Sequence, residues 1–315
     1  MEEKKALPDA RWQPPDKSFT KVILETGFGF ATPNEGAMCT IQITPLPGKY
    51  HIDEEIIGYP LHRETETCVG NSDTALSEIF DTCLETMREG EQCQIHVPKS
   101  TLVRNLGEAK LRVMASSLND LEVETEEDST TKFIIELKSL NRCKEMWKTS
   151  AEEKIELAEE HKMRGTACFK NGQIVLASKR YSKALKLLIT VGRKADLEQL
   201  SENMRSRYNS LKCSCLLNLS ACLLKLKQYY NVVLLCNDAL SIDSNNVKGL
   251  YRRGQALTKL NEFDRAKDDL SKAHALEPSN KAVTDLMSVL LSKVKQQDRQ
   301  YALAMSKMFG GPIKM

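Results

Sequence analysis

The sequence is short of long apolar runs and of paired cysteine motifs, and each shortage excludes something. No stretch approaches the roughly 20 apolar residues that cross a bilayer. Met1–Asp16 holds no apolar core of signal-peptide length, so neither a membrane span nor a secretory leader is expected. The ten cysteines are scattered, with Cys213 and Cys215 the tightest pair. No two CxxC units stand at zinc-like spacing, which points to reduced, mostly buried thiols rather than a disulfide scaffold or a zinc site. His51, His62, His96, His161 and His274 lack ligand spacing, so no metal is expected. Gly27-Phe28-Gly29 is too short for a phosphate loop, and no Ser/His/Asp constellation can be drawn. These absences leave no catalytic residues and no cofactor to nominate.

What is present is enough chain for two ordinary domains: 315 residues, of which 41% are hydrophobic. The formal net charge of +2 hides an asymmetry. Residues 1–145 carry 16 Lys+Arg against 26 Asp+Glu, and residues 146–315 carry 29 against 17. An acidic half joined to a basic half implies that the basic half meets something anionic. Charge alone leaves nucleic acid, a membrane surface and an acidic peptide all open.

The first half reads as β-rich. Thr20–Leu24, Cys39–Thr44, Gln92–Val97, Lys110–Ala115 and Lys132–Leu140 are short alternating or β-branched stretches separated by Gly, Pro and Asn. Within Asp73–Arg88, Leu76, Ile79, Phe80, Cys83, Leu84 and Met87 fall at helical spacing, with Gly90 as the expected stop. One helix against several antiparallel strands gives an α+β domain over residues 1–143. The acidic run Glu122–Asp128 reads as a solvated loop.

After Asn141 the texture becomes helical, and Lys144–Leu157 is expected to begin the first long helix and serve as the hinge. Gly254, Ala266 and Ala273 align with Gly165, Ala177 and Ala184, and with Ser220, Val232 and Ala239. The spacing from Ser220 to Gly254 is 34 residues, the tetratricopeptide (TPR) period; from Gly165 to Ser220 it is 55, a period plus an insertion of 21. Small residues are expected where the two helices of a repeat approach closely. Tyr181 and Leu270 are expected between neighbouring repeats, and Pro278 at the start of the following helix. The prediction is an all-α solenoid of three repeats over 144–278, with an insertion near 190–210. A C-terminal capping helix and tail cover 279–315. Lys293–Arg299, with Met305, Met308 and Phe309, offers a basic amphipathic face on that helix.

Lys162-Met163-Arg164-Gly165-Thr166, then Asn218, then Lys248-Gly249-Leu250-Tyr251-Arg252-Arg253-Gly254 resemble the TPR co-chaperones of heat-shock protein 90. The resemblance implies a carboxylate clamp for the acidic C-terminal tail of that chaperone. Its peptide-binding positions fall on Lys162, Thr166, Asn218, Lys248 and Arg252. The family pattern is Lys, Asn, Asn, Lys, Arg, so Thr166 departs from it. The chemistry is coherent by itself. Lys248 and Arg252 share a helix face, as do Lys162 and Thr166. If stacked first helices line an inner groove, cations and an amide converge on a peptide carboxylate.

The first half is similar, more faintly, to the FKBP-type peptidyl-prolyl isomerase domain. Cys39–Thr44 resembles its central strand, Asp73–Met87 its single helix and Phe133–Leu140 its last strand. Ile43 stands where that resemblance implies a pocket tyrosine, Phe80 where it implies a tryptophan, and Lys99–Leu106 lacks the expected tyrosine-bearing loop. The implication is a fold without isomerase activity. The chain then reads as a non-enzymatic adaptor in the cytoplasm, and also the nucleus, with neither nucleic acid nor membrane as partner. The resemblance implies client proteins such as steroid receptors or cell-cycle regulators. Two alternatives stay open: an active prolyl isomerase, or a TPR scaffold for an unrelated acidic or helical peptide.

Overall fold

In the computed structural model the chain divides into two compact units, Met1–Lys148 and Thr149–Met315. The structure describes residues 11–50, 52–71, 74, 76–108, 111, 114, 130–144, 148–191 and 200–309.

The first unit is a six-stranded antiparallel sheet. Its strands are β1 (Arg11–Trp12), β2 (Thr20–Glu25), β3 (Met38–Pro45), β4 (Glu64–Cys68), β5 (Gln92–Pro98) and β6 (Thr130–Asn141), in the order β1-β2-β5-β6-β3-β4. Alternation sets the buried face: Cys39, Ile41 and Ile43 on β3, Cys93, Ile95 and Val97 on β5, and Phe133, Ile135 and Leu137 on β6 are all buried. The register stacks them, with Ile135 facing both Ile43 and Cys93. Each such side chain contributes about 1.5–3 kcal/mol by leaving water.

Among the described residues this unit also holds the short helices α1 (Glu54–Ile57), α2 (Ser77–Leu84) and α3 (Lys99–Leu106). α2 buries Ile79, Phe80, Cys83 and Leu84 in the core shared with the sheet. Gly90, expected to stop this helix, lies beyond its end; it takes φ 77° in the turn before β5 and donates its N–H to Leu137 O. The strand expected at Lys110–Ala115 falls mainly outside the described residues. Leu111, within it, is helical and buried, its N–H bonded to Gly107 O. The acidic run Glu122–Asp128 lies outside the described residues.

The second unit is a row of antiparallel helices: α4 (Ala151–Lys170), α5 (Ile174–Val191), α6 (Glu202–Lys225), α7 (Tyr229–Ile242), α8 (Val247–Lys259), α9 (Phe263–Leu276) and α10 (Lys281–Phe309). α4 starts at a capping box: Ser150 Oγ accepts from Glu153 N, and the Glu153 carboxylate accepts from Ser150 N.

The small positions are set by contact. A Cβ on Gly165 would stand 3.0 Å from the Tyr181 ring, and one on Gly254 would stand 2.9 Å from Leu270. Tyr181 and Leu270 therefore press on the first helix of their own repeat, not only between repeats as expected. The helices of a pair cross too closely there for a side chain to intervene. Ser220 fills the equivalent place in the middle repeat, fully buried, its hydroxyl donated to Leu217 O. Pro278 sits in the turn before α10 rather than on its first residue; Asn280 Oδ1 accepts from Val283 N there.

The insertion lengthens helices. α8 and α9 have 13 and 14 residues, whereas α5 has 18 and α6 has 24. One period before the first residue of α8 is Cys213, yet α6 begins at Glu202, eleven residues earlier. Ser201 caps it by accepting from Met204 N. The extra turns are anchored on one side: Tyr208 and Leu211 are buried, and Tyr208 donates its hydroxyl to Leu188 O on α5. Arg207 grips Glu159 on α4 with both oxygens engaged, Nε to Oε1 at 2.8 Å. Residues 192–199 of the insertion lie outside the described residues.

Candidate peptide-binding groove

α6, the α7–α8 turn and α8 together enclose a groove of about 530 Å³. Asn218, Lys248 and Arg252 line it, so three of the five expected side chains meet in one place. Each is placed by its own repeat: Asn218 by the middle repeat's first helix, Lys248 and Arg252 by successive turns of α8. Asn246 caps α8 by accepting from Gly249 N, which fixes the first turn that carries Lys248.

Arg252 and Arg253 are neighbours with opposite duties. Arg253 donates Nε and Nη2 to the two Asp269 oxygens at 2.7 and 2.6 Å and Nη1 to Asn237 Oδ1 at 2.8 Å. It ties α8 to α9 and α7. Arg252 spends one donor, Nη1, on Leu217 O at 2.6 Å. A guanidinium has five N–H groups, so the rest of the Arg252 fork remains for a ligand while the anchor fixes its position. Burial lowers the Arg252 pKa from its ordinary value, because its charge has lost water that no carboxylate replaces. An incoming carboxylate would remove that penalty. Lys248 is exposed and has no ion-pair partner among the described residues.

Lys162 and Thr166, on α4, do not line this groove. The Lys162 ammonium lies within electrostatic reach of Glu159 on its own helix and of Cys215 on α6. Thr166 points its hydroxyl inward: Oγ1 donates to Lys162 O at 2.9 Å and lies 3.1 Å from the Tyr181 hydroxyl. A side-chain amide would extend past this point; the threonine hydroxyl is held back by the helix. The expected side chains that line the groove thus come from the second and third repeats.

Sequence reasoning missed the rest of the lining: the polar Ser206, Asn209, Ser210 and Ser214 on α6, with Asp243 and Asn246 from the turn, and the apolar Cys213, Leu217 and Ile242. The signal was available as serines recurring every four residues, once the helix was known to start at Glu202.

The first unit has two positions where the FKBP resemblance implies pocket aromatics, and both are core. Ile43 and Phe80 are fully buried. The Phe80 ring lies 5.2 Å from Phe133, edge-on, and 6.1 Å from Tyr59. The Tyr59 hydroxyl donates a short bond to Asp81 Oδ1, which also accepts from Gly70 N at 2.9 Å. Burial and the adjacent carboxylate push the Tyr59 pKa up, so it stays a neutral donor.

The family model for the tetratricopeptide repeat matches residues 247–280. The chain is 30% identical over 285 residues to mouse peptidyl-prolyl cis-trans isomerase FKBP4, covering 90% of this chain and 56% of that protein. It is 29% identical over 301 residues to rat FK506-binding protein-like, covering 95% of this chain and 73% of that protein. The chain thus spans little more than half the length of the FKBP4 relatives it matches. Among solved structures, the C-terminal TPR-containing domain of a Plasmodium falciparum FK506-binding protein has 29% identity and a TM-score of 0.45, covering 49% of this chain and 99% of that one. The alignments to these relatives cover both units, so the chain is similar to FKBP4 through a sheet-containing region followed by a helical TPR region.

Proposed function

We propose that the helical unit binds an acidic C-terminal peptide, such as the tail of heat-shock protein 90, and that the chain acts as a non-enzymatic co-chaperone. The observation that carries the reading is the meeting of Asn218, Lys248 and Arg252 in one groove, with a half-buried, anchored guanidinium that has no carboxylate partner among the described residues. The peptide's terminal carboxylate pairs with the Arg252 fork and the Lys248 ammonium, and Asn218 orients the peptide backbone with its amide. Lys162 adds positive charge from the first repeat, and Thr166 contributes little because its hydroxyl is already engaged. Withdrawal from water strengthens each ionic contact, worth about 1.5–3 kcal/mol per charged hydrogen bond.

The test is a titration with a labelled peptide ending Glu-Glu-Val-Asp, as free acid and as C-terminal amide. Binding that weakens at least tenfold on amidation, and weakens further with salt, is the expected result. Equal affinity for the two peptides sinks the clamp.

For the first unit the proposal is client contact without catalysis. Ile43 and Phe80 support it because, where the FKBP resemblance implies a pocket tyrosine and tryptophan, these side chains are buried in the core. Phe28 and Phe30, 77% and 95% exposed, supply apolar surface for a client, with Arg88 over the Phe30 ring. A second reading, that this unit isomerises prolyl bonds, is favoured by the name of the FKBP4 relatives. A protease-coupled isomerase assay decides: turnover abolished by an FKBP inhibitor would establish the second reading against the first. With such partners the chain would work in the cytoplasm and nucleus.

A further inference from the structure

The groove does not stop at its cationic end. Arg252 fixes that end at the level of Leu217, where its guanidinium is anchored. From there the lining continues toward the start of α6 through Ser214, Ser210, Asn209 and Ser206. Ser206, Asn209 and Ser210 belong to the eleven residues by which α6 outruns the repeat period. A regular TPR helix would not be there.

Two features set this row apart from an ordinary solvated helix face. Several serines elsewhere in the array, though not Ser271, turn their hydroxyls back onto their own helix. Ser178, Ser182, Ser220 and Ser241 donate to carbonyls three or four residues earlier at 2.6–2.8 Å. Ser206, Asn209, Ser210 and Ser214 have no hydrogen-bond partner among the described residues. The row is also rigid. The opposite face of the extension is pinned by buried Tyr208 and Leu211 and by the Arg207–Glu159 pair. The donors and acceptors are therefore fixed in place and unspent.

We infer that this extension is a second peptide subsite, which binds the neutral polar residues preceding the acidic terminus. The inference rests on the clamp reading. Ser206 to Ser214 spans about 12 Å of helix, the reach of roughly four extended peptide residues. Hydroxyls and a side-chain amide both give and accept hydrogen bonds, which suits a peptide backbone and short polar side chains. Asp243 on the facing turn disfavours further acidic residues; the apolar lining residues Cys213, Leu217 and Ile242 are buried or half-buried, whereas Ser206, Asn209 and Ser210 are exposed and meet a peptide first. The subsite adds selectivity for what stands upstream of a tail that many clamps would accept.

The test compares three labelled peptides: the terminal five residues ending Glu-Glu-Val-Asp, the same preceded by five Ser, Thr, Gly or Asn residues, and the same preceded by five Leu or Val residues. Each is titrated against the full chain and against the Ser206→Ala/Asn209→Ala/Ser210→Ala variant. Alanine at these exposed helical sites favours the fold. The polar extension should tighten binding about tenfold and the apolar one should not, since each hydrogen bond is worth a few-fold. In the triple variant the polar ten-residue peptide should fall to the affinity of the five-residue one, which should itself be unchanged. The subsite is refuted if length adds nothing, if the gain survives the triple variant, or if the apolar extension gains equally. Failure of all three peptides to bind overturns the clamp and the subsite together; a five-residue peptide that binds normally isolates the failure to the subsite.

Discussion

The two units handle polar groups beneath their surfaces in opposite ways. In the sheet unit Lys21 and Glu91 form a 2.6 Å ion pair with side chains 3% and 5% exposed, and Lys21 Nζ also donates to Thr86 Oγ1. Tyr59, Asp81 and Gly70 close a second buried set. Glu91 Oε2 also accepts from Arg88 N, so these groups are held by one another and by the backbone. In the helical unit Arg252 is partly withdrawn from water without a counter-charge among the described residues, and Lys248, Asn218 and three serines face a groove without partners among those residues. Similar chemistry holds a fold together in one case and waits for a partner in the other. What separates them is whether the geometry closes.

Removing one member from a closed set should therefore cost stability, and the largest cost belongs to the most buried pair. Lys21→Ala strands the Glu91 carboxylate and should destabilise the sheet unit by about 3–5 kcal/mol in denaturant unfolding. A loss under 1 kcal/mol would remove the distinction. Arg253→Ala breaks the fork to Asp269, itself buried, and should cost about 2–3 kcal/mol while leaving peptide affinity within twofold. Gly254→Ala forces a methyl to within 2.9 Å of Leu270 and should cost about 1–3 kcal/mol, seen as a lower Tm. Unchanged melting would mean that the helix pair does not need the close approach.

The smallest effect is acid-dependent. Arg207 holds the Glu159 carboxyl below the usual carboxylate range through its hydrogen bonds. A depressed carboxylate contributes stability that is present above its ordinary pKa and fades as pH falls through the lowered one. Because both side chains are about a third exposed, the contribution is under about 1 kcal/mol. Glu159→Gln should lower Tm slightly at pH 7, and the gap from the wild type should vanish near pH 3. A gap that persists there would assign the effect to packing.

Much of this architecture was legible in the sequence because apolar periodicity reports burial directly. β3, β5 and β6 alternate cleanly, and the 34-residue period located the small residues at the helix crossings. β4 was not legible: Glu64–Cys68 sits at the sheet edge, where polar residues are tolerated and no buried face marks them. α3 begins Lys-Ser-Thr and buries only Thr101 and Leu102, too little for a helical stripe. Asn218, Lys248 and Arg252 were legible through the resemblance to TPR co-chaperones, not through the period, since by the repeat alignment Asn218 faces Met163 and Lys248 faces Glu159. The position of Thr166 was legible but the direction of its hydroxyl was not, since that depends on Tyr181 fifteen residues on. Ser206, Asn209 and Ser210 were hidden because their meaning depends on an insertion becoming helix.

The direct test of an open set against a closed one is to titrate the Glu-Glu-Val-Asp peptide against Lys248→Ala and Arg253→Ala side by side, with unfolding curves for both. Lys248 is exposed and has no ion-pair partner among the described residues, so its removal should leave stability unchanged and weaken binding about tenfold or more. Arg253→Ala should do the reverse. Full peptide affinity in Lys248→Ala would contradict the account.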